Sequence, residues 1–290
     1  MSNPIIQPAS FAVSKVSVSP PRPLDSGAKF AYLNYGDARS LVIQTPQLQT
    51  PFGLKVFDKE GPPKYSVELA LRGYNGASVN PKVKSLYDAL SALDEHMIDL
   101  GVKNSKLWFK AEQPRAVIQA FYTPTVKFGR DKDGNQTPYP PNVKLQLRRT
   151  SDGSGFETEF YGEDAKTNPN AKPIKDVPAE ELLVNKAEVT ALMQCTGVWF
   201  SGGSKFGLSW KAVQVRMDSV PSAVRRGASA FVNDEEAPQD EEEEVAPAPA
   251  SALQRAPTVV QAQESEDEEV APAPVPKKKV VTMKKATAPK

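Results

Sequence analysis

MQCTGVWFSGGSKFGLSWKAVQVRM, residues 193–217, is the stretch on which the fold turns. Two runs rich in β-branched and aromatic residues flank SGGS at 201–204, and the first run reaches back to Glu188. Four residues with two glycines between β-like runs predict a hairpin. In the second run Phe206, Leu208 and Trp210 share one parity, whereas Val213, Val215 and Met217 share the other. Side chains alternate faces along a strand, so this switch predicts a bulge or bend near 210–213. Bends of that kind close the sheets of small barrels.

Upstream, the same period-two alternation recurs in AKFAYLNY, SLVIQT, PFGLKVF and KYSVELALR between residues 28 and 72, which read as half-buried strands. The period changes once. Val83, Leu86, Tyr87, Leu90, Leu93, Met97 and Ile98 follow three-four spacing, predicting one amphipathic helix over 81–100. Asn80 is its expected N-cap, Pro81 its first residue and Gly101 its stop. KLWF (106–109), AVIQAFYT (116–123), VKLQLRR (143–149) and FETEFYG (156–162) are read as further strands, 127–141 as a long loop, and PAEELL (178–183) as a helical turn. The fold expected is mainly β with one amphipathic helix.

The ends differ from the middle. Residues 1–27 hold five prolines and predict an extended, disordered arm, with Phe11, Val13, Val16 and Val18 docking weakly on the body. Residues 28–220 form the folded domain. Residues 221–290 carry the acidic blocks DEE (234–236), DEEEE (240–244) and ESEDEE (264–269). The stretch EEVAPAP at 243–249 recurs at 268–274, and the chain ends in KKATAPK. Such a composition buries too little apolar surface to offset the entropy of ordering, so a disordered tail is expected.

The net charge of +1 conceals a polarity. Of 35 acidic and 36 basic residues, 13 and 7 lie in 233–290, which leaves 22 and 29 in 1–232. A basic body joined to an acidic tail points to polyanionic partners for the body.

Much chemistry is excluded by what the chain lacks. It has one cysteine, Cys195, and one histidine, His96. That forbids an internal disulfide and a structural zinc site, and leaves a nucleophilic triad only His96 as its base. His96, beside Asp94 and Glu95, is expected on an exposed helix face. RDKDGNQT fails as a calcium loop, because aligning Gly134 to the invariant glycine puts Gly129 and Pro140 at ligand positions. SGGSK lacks the spacing of a phosphate loop. Neither enzymatic activity nor any cofactor or metal is expected. No apolar run approaches the ~20 residues of a membrane span and the start has no secretory pattern, which predicts a soluble intracellular protein.

Binding of single-stranded nucleic acid requires cations that follow phosphates and flat rings on which bases stack. Lys127, Arg130 and Lys132 crowd one loop; Lys144, Arg148 and Arg149 crowd one strand; Lys205 and Lys211 decorate the last hairpin. Trp199, Phe200, Phe206 and Trp210 interleave them. Tryptophan and phenylalanine in a β domain are more often core than platform. Trp199 and Phe200 are neighbours, so a regular strand turns one inward and the other outward. The expectation is a basic trough paved with accessible rings that binds single-stranded DNA. The alternative is a virion or scaffold protein whose barrel packs against other subunits.

IQTPQLQTPFGLKVF (43–57), YSVELAL (65–71), YPPNVKLQL (139–147) and the 193–217 hairpin together resemble the single-stranded DNA-binding proteins of large double-stranded DNA viruses, a group distantly similar to the gene 2.5 type phage replication protein. The resemblance covers about residues 28–220. It implies an OB-fold-like antiparallel barrel elaborated by a helix and a basic aromatic groove for DNA, often in a homodimer. It further implies an acidic tail that contacts replication proteins, and a virus-infected cell as the setting. Lys144, Trp199, Phe200, Lys205, Phe206, Trp210 and Lys211 are the DNA contacts it carries over. The basic, non-aromatic end of this chain departs from the phage pattern.

Overall fold

A computed structural model describes residues 4–25, 27–59 and 61–219; the expected disordered tail lies outside the described residues. Five strands form its frame. β1 consists of two segments, Leu41–Gln44 and Leu48–Gln49, interrupted at Pro46; β2 is Lys64–Ala70, β3 Asn142–Leu147, β4 Glu188–Ser201 and β5 Lys205–Ser219. β1 pairs antiparallel with β2 (Gln49 opposite Ala70), and β2 with β3 (Tyr65 opposite Leu147). β3 runs parallel to β5, with Gln146 opposite Lys211. β5 returns along β4, and β4 closes the ring on both segments of β1. The order 1-2-3-5-4, closed on itself through one parallel contact, is an OB-fold-like barrel. The fold class read from the sequence is the one observed.

The barrel interior follows the alternation. Val67, Leu69, Val143, Leu145, Leu147, Met193 and Ala212 are buried, while Lys144 and Gln146 between them face solvent. The hairpin of β4 and β5 carries the expected irregularity. Leu192 opposes Gln214 and Met193 opposes Ala212, which leaves Val213 as an extra residue, and Thr196 is extra on β4. The first bulge accounts for the parity switch.

The helix α1, Pro81–Lys103, enters between β2 and β3. The Asn80 side chain accepts hydrogen bonds from the Lys82 and Val83 amides, as an N-cap does. Gly101 does not end it. The glycine is buried one turn further in, where a Cβ would lie 2.7 Å from Ile118 and 3.1 Å from the Phe206 ring. It is present for close approach, and the helix stops three residues later at Asn104. His96 is half-buried on this helix rather than exposed, and its Nε2 has no hydrogen-bond partner.

Two segments read as strands are helical: α2, Ser105–Phe109, and α3, Arg115–Phe121, followed by the two-residue strand Tyr122–Thr123. Short apolar runs fit either state by periodicity alone, and tertiary packing decides. Here both helices cap the barrel end, with Trp108 and Ile118 buried against Phe200 and Phe206. The N-terminal arm also differs from the expectation. Ile5–Ile6 pairs with β1, Val16–Val18 pairs with Leu33–Tyr35, and Phe11 stacks on Tyr35 at 5.7 Å.

Candidate nucleic-acid interface

The outer face of β2, β3 and β5 carries a trough in two continuous halves that share Lys144 and Gln146. The larger half, about 760 Å³, is lined by Phe57, Lys64, Ser66, Arg148, Arg149 and Glu157 among others. The smaller, about 250 Å³, is lined by Lys127, Thr125, Trp199, Leu208 and one edge of Trp210. The face formed by the second and third strands is where OB folds accommodate oligonucleotides and oligosaccharides.

Strand parity sets the trough wall. Lys144 and Gln146 project outward because Val143, Leu145 and Leu147 fill the barrel. Lys211 stands beside Gln146 and forms an ion pair with Glu157 at 3.4 Å. Lys55, on the strand Leu54–Phe57 that pairs with β2, is bound by Glu68 at 2.9 Å and sits 4.0 Å above the Phe52 ring. Lys64, Lys127, Lys144 and Arg148 form no ion pair among the described residues and are exposed. With Arg149, which forms no ion pair among the described residues either, they constitute the uncompensated charge of the trough. Arg149 is held differently: its guanidinium lies 5.4 Å from the Tyr65 ring and 4.9 Å from Phe156, and it donates to the Gly153 carbonyl at 2.9 Å.

Trp199 is the half-buried ring of the smaller half. Its indole lies against Gly207, its cross-strand partner, so closely that a Cβ there would meet Trp199 Cζ2 at 2.9 Å and the Thr123 carbonyl at 3.0 Å. The glycine thus lets the ring lie along the strand. Below it, Trp210 donates from Nε1 to Thr125 Oγ1 at 3.3 Å. The Thr125 amide in turn donates to Asp94 Oδ2 at 2.9 Å, and the Tyr122 hydroxyl to Asp94 Oδ1 at 2.6 Å. Burial pushes the Asp94 carboxyl above its ordinary value against the opposing pull of these donors, and pushes the Tyr122 hydroxyl well up. This buried polar network fixes 122–125 to α1 and fixes the trough floor with it.

Of the residues singled out from the sequence, Lys127, Lys144, Arg148, Arg149 and Trp199 line the trough, and Lys211 stands at its wall. Phe200, Phe206 and Trp210 are corrections as platforms, being 5%, 0% and 3% exposed. Phe200 and Phe206 are cross-strand partners that both point inward and stack at 6.1 Å beneath Trp108 and Phe109. Arg130, Lys132 and Lys205 line neither half. Arg130 closes its own turn on the Gly134 carbonyl at 2.7 Å, Lys132 sits in that turn, and Lys205 lies at the tip of the last hairpin.

Phe57 and Lys64 were not singled out. PFGLKVF suggests burial of Phe52, Leu54 and Val56, yet the strand forms a projecting ribbon with Phe52, Val56 and Phe57 all about half exposed. Its turn signal, DKEGPPK, contained the information that Phe57 and Lys64 face each other across a hairpin.

No family model matches the chain. An uncharacterized protein, L291 of Acanthamoeba polyphaga mimivirus, is 20% identical over 204 residues, covering 70% of this chain; the chain spans about a third of that protein, 30% of its length. Among solved structures, the single-stranded DNA-binding protein of bacteriophage Enc34 in complex with ssDNA is 14% identical. The alignment covers 72% of this chain and 98% of that one, with a TM-score of 0.38. The gp2.5 protein of bacteriophage T7, a single-stranded DNA binding protein, is 9% identical over 72% and 100% of the two chains, with a TM-score of 0.39. At these scores the likeness is loose, and the barrel topology rests on the strand pairings of this chain itself.

Proposed function

We propose that this protein binds single-stranded DNA without sequence readout and without catalytic activity, in the replication, recombination or repair of a viral genome in an infected cell. One observation carries the reading: the outer face of β2 and β3 brings five uncompensated cations and the half-exposed Trp199 ring into one trough. Cations follow the phosphates and the ring supplies a stacking surface worth ~1–3 kcal/mol per base. On this reading affinity comes from backbone charge and stacking.

The acidic blocks of 233–290 complete the proposal. They compete with DNA for the basic body, and when DNA displaces them they recruit replication proteins. A homodimer is part of the same reading, with Phe52 and Val56 of the projecting ribbon as its exposed apolar surface. That ribbon is also the observation favouring the alternative, a virion or scaffold subunit.

The test is a titration of the full chain against poly-dT and against duplex DNA over a range of salt. The proposal expects tight, salt-sensitive binding to the single strand, weak binding to the duplex, and tighter single-strand binding after deletion of 221–290. Equal affinity for both nucleic acids defeats it. Salt-insensitive self-assembly without DNA affinity selects the scaffold reading.

A further inference from the structure

A second cleft lies away from the trough. It has two lobes, about 320 and 600 Å³, joined at Gln44, Thr190 and Arg216. No aspartate or glutamate is among the residues lining either lobe. The larger lobe adds Lys82 and Lys166, both exposed. The smaller is partly apolar, with Ile5 and Leu192 in its wall.

Arg216 is set in place rather than free. Its Nε donates to Asp218 Oδ1 at 2.7 Å and its Nη2 to Thr190 Oγ1 at 3.0 Å, while Thr190 Oγ1 donates to Asp218 Oδ2 at 2.6 Å. The Asp218 side chain is only 5% exposed, so its charge is turned away from solvent beneath the guanidinium. A guanidinium held by two side chains loses little freedom when it meets an anion.

We propose that this cleft is a docking site for an extended acidic peptide presented by a partner protein. Charge complementarity names the anion, since Lys82 and Lys166, with no ion pair among the described residues, share a lining that holds no carboxylate, and Arg216, its charge met by Asp218, adds fixed donors. Three features select a peptide over a second stretch of nucleic acid. Glu159, exposed between the trough and the cleft along β5, repels a polyphosphate passing from one to the other. The aromatic ring of the lining, Tyr161, is tethered through its hydroxyl to Glu159 at 2.9 Å. Finally, the strand Ile5–Ile6 ends the sheet: it pairs with β1 on one side and with no strand on the other among the described residues. An extended peptide adds to such an edge through its backbone, with alternate side chains entering the lobes.

The experiment is fluorescence anisotropy of the full chain with a fluorescein-labelled peptide in which Glu alternates with Val, beside its Gln-for-Glu counterpart. The Glu peptide binds, binding weakens with salt, and the Gln peptide binds at least about tenfold more weakly, the scale of ~1.4 kcal/mol. The double variant Lys82→Glu/Lys166→Glu loses the peptide while its affinity for poly-dT is unchanged; Lys82→Arg/Lys166→Arg retains both. Equal binding of the two peptides, indifference to the charge reversals, or displacement of the peptide by poly-dT overturns the assignment. So does peptide binding that emerges only after the acidic blocks at 234–236, 240–244 and 264–269 are changed to amides, because the occupant is then the chain itself. Loss of poly-dT binding by the unmodified protein would sink the DNA reading and leave the peptide result intact.

Discussion

Lys144 is the residue through which the two halves of the trough meet, and its removal gives a quantitative test. On single strands, log affinity falls with log salt by about 0.7 for each phosphate neutralised. Lys64, Lys127, Lys144, Arg148 and Arg149 are the trough cations with no ion-pair partner among the described residues. Five contacts give a slope of about −3.5 and, between about 50 and 200 mM salt, an affinity loss of about 130-fold. Lys144→Ala removes one contact, which brings the slope to about −2.8 and the loss to about 50-fold. Val143 and Leu145 hold the strand, and the exposed Lys144 side chain makes no hydrogen bond or ion pair among the described residues, so the variant folds normally. Anisotropy of a labelled oligo-dT at four or more salt concentrations measures the slope, with Lys132→Ala, on the turn outside the trough, as the comparison. An unchanged slope for Lys144→Ala, or an equal change for Lys132→Ala, refutes the placement of DNA on this face.

The remaining predictions concern rings and protons. Trp108 and Trp210 are 4% and 3% exposed, so quenching of tryptophan fluorescence by single-stranded DNA arises from Trp199, and Trp199→Phe abolishes the quench while keeping most of the affinity. Phe206→Ala lowers stability by about 3–5 kcal/mol, measured by denaturant unfolding, because it empties a core position rather than a DNA contact. Asp94 has a raised folded-state pKa, so the native state holds its proton more firmly than the unfolded chain does. Its contribution is therefore most favourable below the ordinary value of 3.8 and is lost as pH rises through the folded value. Asp94→Asn, which forfeits a hydrogen bond at a cost of about 1–3 kcal/mol, is then less stable than the parent in acid, with a gap that narrows as pH rises; a constant gap across thermal melts removes the assignment.

The readable parts of the chain were those where a pattern ran long enough to outweigh alternatives. The helix from Pro81 shows seven apolar residues at helical spacing behind an Asn-Pro start, and the last hairpin shows two long β-like runs around SGGS. KLWF and AVIQAF are too short for period to discriminate, and they became helices because a barrel end needs a cover. The cations were legible as a set but not as a place. Lys144 alternates with core residues on one strand and Arg148 follows directly after its last residue in the same parity, whereas Arg130 and Lys132 lie on a turn whose direction no alternation encodes. Phe57 and Lys64 entered the trough through a ribbon exposed on both faces, where apolar alternation does not report burial.

The choice between Trp199 and Phe200 shows how finely such a surface is specified. Along β4 the buried positions run through Val189, Ala191, Met193 and Cys195, and then through Val198 and Phe200. The switch in parity falls at the extra residue Thr196, before Gly197. Continued without that residue's bulge, the odd positions would carry Trp199 inward and leave Phe200 outside. Both rings are large and apolar, so hydrophobicity does not decide between them; one inserted residue does. The same bulge places Trp199 opposite Gly207, where the strand has no side chain to obstruct an indole lying flat. The accessible indole of the trough thus follows from strand register, a property of the paired hairpin that neither run possesses alone.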